Sequence, residues 1–160
     1  MSLVTVTRET ALDIKAGLAT RIRAALAGRT DQPLTWWWVP GRIEVFGKHT
    51  DYGGGPSLIG ALPRGFLIAG APRDDRRVRV IDAGDQSTFE LDLTTGQTAP
   101  AEVTGWRRYV NVLARRLARD FAGSGLGADL ALASDLPRAS GMSSSSALVV
   151  GMAQALARLG

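Results

Sequence analysis

The stretch GRIEVFGKHTDYGGG, residues 41–55, holds the only histidine of this chain, beside an arginine, a lysine, an aspartate and a tyrosine, and closes on three glycines. Two readings fit it. It is a polar loop that ends in a flexible turn, or it is a ligand site where backbone and side chains both meet a small hydroxylated molecule.

A second loaded stretch is LPRASGMSSSSALVVGMAQAL, residues 136–156. Pro137 ends an apolar run, small residues follow, and four serines open an apolar helix. Serines at a helix start cap free backbone N–H groups. A helix N-terminus with uncovered N–H donors and small side chains also cradles phosphates. No lysine follows the glycine as in a Walker loop, so backbone and hydroxyls would have to bind any phosphate. An over-capped helix or a linker fits the same composition.

Composition narrows the classes. The 160 residues suit one domain or part of a larger one, and 45% hydrophobic with 21% charged residues is ordinary globular usage. Without cysteine there is no disulfide framework and no cysteine metal site, which fits a reducing, cytoplasmic setting. The N-terminus lacks the apolar core of a signal peptide. The uncharged stretch 139–157 carries five serines and two glycines, too polar for a membrane span. A net charge of +4 fits phosphorylated small molecules as well as nucleic acid. The basic residues are scattered and do not alternate with aromatics, which argues against nucleic acid. Only Lys15 and Lys48 are lysines.

The elements that must hold these stretches are mixed. The spacing of Leu12, Ala16, Leu18, Ile22 and Leu26 predicts a helix over 9–28, stopped by Gly28. LTWWWV, 34–39, predicts a strand in which at least one tryptophan is core, and Ile43–Phe46 a second strand after a break at Pro40 and Gly41. An apolar run covers 57–70, and 71–76 is a turn. Residues 78–83 alternate like an exposed strand, and 87–93 place Phe89, Leu91 and Leu93 on one face. Residues 106–121 predict an amphipathic helix with Trp106, Tyr109, Val110, Leu113 and Leu117 inward. A strand over 128–137 and a helix from 143 to the last residue complete an α+β or α/β order. A chain that ends inside an apolar helix reads as the N-terminal part of something longer.

Taken together, PGRIEVFGKHTDYGGG resembles the galactokinase signature, and LPRASGMSSSSALVV resembles the phosphate-binding motif of the wider GHMP kinases. ALPRGFLIAGAPRDD and the start of the 106–121 helix are similar to galactokinases too. The resemblance implies an α+β N-terminal domain over residues 1–160, like the second domain of ribosomal protein S5, with a left-handed β-α-β unit. It implies transfer of the ATP γ-phosphoryl group to a sugar hydroxyl, at C1 in galactokinases, with Mg²⁺ as cofactor. Arg42 would stabilise charge on the transferred group. Lys48, His49, Thr50 and Asp51 would contact the sugar, Asp51 accepting from two hydroxyls, while Gly53, Gly54 and Gly55 let backbone approach it. Ala139, Ser140, Gly141, Met142, Ser143, Ser144 and Ser145 would wrap the ATP phosphates, with Ser145 on Mg²⁺.

The chain departs from the family at informative places. Lys48 replaces a glutamate and Glu44 an asparagine. Either the two form an exchanged pair, or Lys48 meets a substrate carboxylate and the sugar is acidic. Ala139 and Ser140 stand where the family has mostly glycine. The family's catalytic aspartate and acidic Mg²⁺ ligand follow the phosphate-loop helix, so a C-terminal kinase lobe is the expected partner. A kinase-derived sensor that binds sugar and ATP without turnover is the rival reading.

Overall fold

The protein is described here by a computed structural model, which covers residues 8–47, 50–94, 103–121, 125, 127–137 and 142–160, with residues 8–11 and 51 as backbone alone. Helix α1 (Arg8–Leu26) leads into strand β1 (Thr35–Phe46). A 3₁₀ turn (Thr50–Gly53) links it to β2 (Leu58–Pro72), followed by β3 (Arg77–Asp82) and β4 (Thr88–Asp92). Then come α2 (Trp106–Asp120), β5 (Ala128–Ser134) and α3 (Ser144–Leu159).

The five strands form one sheet in the order β1-β2-β5-β3-β4. Only β3 and β5 run parallel; the other neighbours are antiparallel. Strand β5 explains the layering. Its Leu130 and Leu132 point into a core shared with α2 and α3, while Ala131 and Ala133 point into one shared with α1. Both faces are thus covered, which is why the run is mostly apolar, with Asp129 buried against Arg73 and Arg79. The small side chains let α1 sit close, through Leu18, Ile22, Ala25 and Leu26. Leu12 stays 56% exposed, so the buried stripe of α1 begins a turn later than its apolar spacing predicts. Gly28, at φ 68, ends the helix as expected.

The tryptophans divide between the layers. Trp36 and Trp38 flank the α1 core and Trp37 the α2–α3 core, the alternation a strand requires. Lys15 and Arg23 of α1 lie over the rings of Trp38 and Trp36 at 4.3 and 4.9 Å.

Three expectations change. Thr35–Phe46 is one strand rather than two, because the break at Pro40 and Gly41 is absorbed as a register irregularity between Pro40 and Arg42. Strand β3 is interior, not exposed: Val78, Val80 and Ile81 are buried, and the alternating Arg79 is ion-paired to Glu90 and Asp129. In α2, Val110 is buried with Asn111 and Ala114, and Trp106, Leu113 and Leu117 pack on the same core as expected, while Tyr109 is 44% exposed at the flank facing α3.

Strand β5 pairs with β2 only from Phe66 to Pro72. The preceding part of β2 and the end of β1 therefore continue as a two-stranded ribbon, and the first polar stretch sits at its tip.

Candidate functional site

The ribbon carries Arg42 and Glu44 with exposed side chains, and neither forms an ion pair among the described residues. Lys48 and His49 lie outside the described residues, and so does the expected Glu44–Lys48 pair. Asp51 contributes its backbone to the 3₁₀ turn. The Thr50 hydroxyl lies 2.7 Å from the Gly47 carbonyl and 2.9 Å from that of Pro56. Its single proton is committed to closing this loop, which leaves only its lone pairs for a ligand. The Thr50 N–H also donates to Gly47, and the Thr50 carbonyl accepts from Gly55. Gly47 is obligatory here: φ is +91, and a Cβ would lie 2.6 Å from the Pro56 carbonyl oxygen. Gly54 has open space around its Cα.

In the serine stretch, Ala139, Ser140 and Gly141 lie outside the described residues. Ser143 caps α3 in the left-handed conformation, φ 54 and ψ 36, and its hydroxyl makes no capping bond. That corrects the capping expectation at this position: the Ser143 side chain leaves the first-turn N–H groups of α3 without a cap. Helix α2 begins likewise, on Gly105 with no side-chain cap. Neither helix has an acidic residue in its first turn.

Both bare N-termini meet a cavity of about 460 Å³. Ser144 and Leu148 of α3 line it, with Gly105, Trp106 and Arg107 of α2, Phe66 of β2, and Leu132, Ser134 and Leu136 at the end of β5. Asp82, Gly84 and Asp85 close the remaining side. Both carboxylates hold their own turns, Asp82 accepting from the Gly84 N–H and Asp85 from the Ser87 N–H. Two helix dipoles and Arg107 favour an anion at this end, and the Trp106 and Phe66 rings offer an apolar wall. Ser144 faces the cavity, while Ser145 is exposed and lies beside Tyr109 in the outer groove between α2 and α3.

Phe66, Asp82, Asp85, Trp106 and Arg107 were not legible as site residues in the sequence. The one local signal was a tryptophan and an arginine directly after a glycine that cannot cap a helix with a side chain.

Mg²⁺ usually takes one or two protein oxygens and completes its shell with phosphates and water. No group of three histidine, aspartate or glutamate residues among those described could hold a metal ion. The serine hydroxyls and the two carboxylates nearby fit an ion that arrives with a nucleotide, and they do not form an all-protein cage.

The two stretches, far apart in sequence, touch. The Arg42 N–H donates to the Met142 carbonyl at 3.3 Å. A side chain on Gly41 would strike Leu136, which lines the cavity.

The fold and both motif-bearing stretches have counterparts in known proteins. The GHMP kinases N-terminal domain matches residues 108–160, and the galactokinase galactose-binding signature matches residues 25–72. The mevalonate kinase of Methanococcus jannaschii has the same fold, with a TM-score of 0.65 at 15% identity over 81% of this chain and 41% of that one. The chain belongs to the GHMP kinases.

Within them it is a galactokinase-like member. It is 42% identical over 114 residues to the galactokinase of Chloroflexus aggregans, covering 69% of this chain and 28% of that protein. Identity to the galactokinase of Actinobacillus pleuropneumoniae is 34% over 125 residues, or 77% of this chain and 32% of the relative. The structure of Lactococcus lactis galactokinase with galactose superposes with a TM-score of 0.74 at 26% identity, over 92% of this chain and 37% of that one. The chain thus spans about a third of the length of the relatives it matches.

Proposed function

We propose that residues 1–160 form the substrate- and ATP-binding domain of a galactokinase-type sugar kinase, which moves the γ-phosphoryl group of ATP to a sugar hydroxyl, C1 by analogy with galactokinases. The observation that carries this reading is the contact between the Arg42 strand and the Met142 loop, which puts a sugar signature against a phosphate-type helix end. In this reading the cavity takes the nucleotide. The purine lies against Trp106 and Phe66, and the phosphates run toward the N-termini of α2 and α3 and toward Arg107. Residues 48–51 and Gly54 hold the sugar. Residues 139–145 wrap the phosphates; Ser144 faces the cavity and is better placed for Mg²⁺ than Ser145, the expected ligand, which lies in the outer groove beside Tyr109. Mg²⁺ would supply charge neutralisation on the phosphates. Arg42 directs its donors at charge that builds on the transferred group. A C-terminal lobe would supply the catalytic aspartate.

Lys48 favours one refinement. An ammonium cannot accept a sugar hydroxyl's hydrogen bond as a glutamate would. Galactose is therefore expected to be a poor substrate, and a sugar carboxylate is one partner for Lys48; Glu44 is the other.

Trp106→Leu in the full-length protein tests the nucleotide assignment. Loss of base stacking on an aromatic ring costs roughly 1–3 kcal/mol, so calorimetry should show ATP binding weakened about tenfold or more, with sugar binding unchanged. Unchanged ATP affinity would place the purine elsewhere.

A further inference from the structure

Strand β5 stops pairing with β2 at Phe66 and Ser134, where its chain turns away toward the serine stretch. The next rung is made by a side chain. Asp135 Oδ1 accepts the Gly65 N–H at 2.8 Å, and the Asp135 N–H donates to the Gly65 carbonyl at 3.4 Å. Ser134 Oγ donates to the same carbonyl at 3.0 Å and accepts the Leu136 N–H at 3.0 Å. Both backbone groups of Gly65 are therefore held at the point where the chain leaves the sheet. Asp135 Oδ2 is buried and has no hydrogen-bond partner among the described residues. A buried, unsatisfied carboxylate oxygen is costly, so the Oδ1 contact must offset that cost.

Gly65 lies opposite Pro40, one residue before Gly41. On that side a Cβ at Gly41 would sit 2.6 Å from Leu136 Cδ2 and 3.2 Å from the Met142 carbonyl oxygen, the oxygen that accepts the Arg42 N–H. The serine stretch is thus pinned to the β1–β2 ribbon twice: by Asp135 where the chain leaves β5, and across Gly41 where it reaches α3. Neither pin uses a side chain that the proposed reaction assigns to a ligand.

Resting on the kinase reading above, we propose that Asp135 and Gly41 are positioning residues: they set the distance between Arg42 and the phosphate-binding loop. They act through backbone placement and touch neither substrate. A reacting group moved by about 1 Å can lose on the order of a hundredfold in rate. The sugar loop, closed separately by Gly47, Thr50 and Pro56, keeps its own geometry.

The test is steady-state kinetics of the full-length protein with its best sugar, for wild type, Asp135→Ala, Asp135→Asn and Gly41→Ala, with thermal melting and sugar binding as controls for folding. Asp135→Ala and Gly41→Ala should lower kcat tenfold or more and raise the KM for ATP, with the sugar Kd within about twofold of wild type. Asp135→Asn keeps the acceptor oxygen and should recover most of the loss. A merely structural role would lower the melting temperature without this split between kcat and the sugar Kd. The inference is overturned if alanine at either position matches wild type, or if asparagine at 135 is as impaired as alanine. A wild type with no sugar-dependent ADP release overturns the kinase reading itself, and this inference with it. Active wild type with unimpaired variants overturns this inference alone.

Discussion

Arg42 is where residue chemistry and function meet most closely. Its side chain is exposed on a strand whose backbone is fixed to the Met142 loop. A guanidinium fork contacts a developing phosphoryl charge at two points, while lysine offers a single ammonium. Arg42→Lys in the full-length protein should therefore lower kcat by on the order of a hundredfold and leave the sugar KM little changed, since the contact is made mainly in the transition state. A raised KM at unchanged kcat would make Arg42 a sugar-binding residue instead. At this scale the sequence was informative where a motif is contiguous and silent where a side chain's partner is distant. The stretch around Arg42 was legible as a motif, and it falls in the galactokinase galactose-binding signature matched over residues 25–72. That the Thr50 hydroxyl is used in loop closure, and that the Ser143 hydroxyl caps nothing, depended on backbone geometry that residue types do not encode.

Among the elements, the helices and most strands were found in order from their periodicity, but β2 read only as an apolar run, β1 read as two strands, and the strand neighbours were not legible. Strand β3 read as exposed because arginines alternate along it. In the sheet, Arg79 instead meets Glu90 on β4 and the buried Asp129 on β5, which also holds Arg73 beyond the end of β2. Such pairing is invisible until the strand order is known. The same network has a pH signature at Asp75. The side-chain hydrogen bond from Arg73 holds its carboxyl well below the usual carboxylate range, against a smaller opposing effect of burial. A folded-state value below the unfolded one stabilises the fold above the ordinary range near 4, and the stabilisation is lost as pH falls through and below that range. Asp75 is about half exposed, so the contribution is below roughly 1 kcal/mol. Urea unfolding should thus show wild type more stable than Asp75→Asn at pH 7, with the gap shrinking steadily from about pH 5 to pH 2. A gap that widens toward acid would contradict the assignment.

At the scale of the whole molecule, the site exists because β5 inserts between β2 and β3. That insertion carries the serine stretch to the ribbon of β1 and β2 and brings the start of α2 beside it. The two motifs were readable separately, and their resemblance to one family implied that they meet. The cavity wall was not readable, since Phe66, Asp82 and Trp106 come from three elements that converge only in the fold. The proposal stands or falls on whether the shared site performs sugar-dependent phosphoryl transfer. The direct measurement is ADP release by the full-length protein with ATP and Mg²⁺ over a panel of neutral and acidic hexoses. Release is expected to depend on a sugar, with galactose a poor substrate and Lys48→Glu improving it. Binding of ATP and sugar without any sugar-dependent ADP release would contradict the account and leave a sensor in its place.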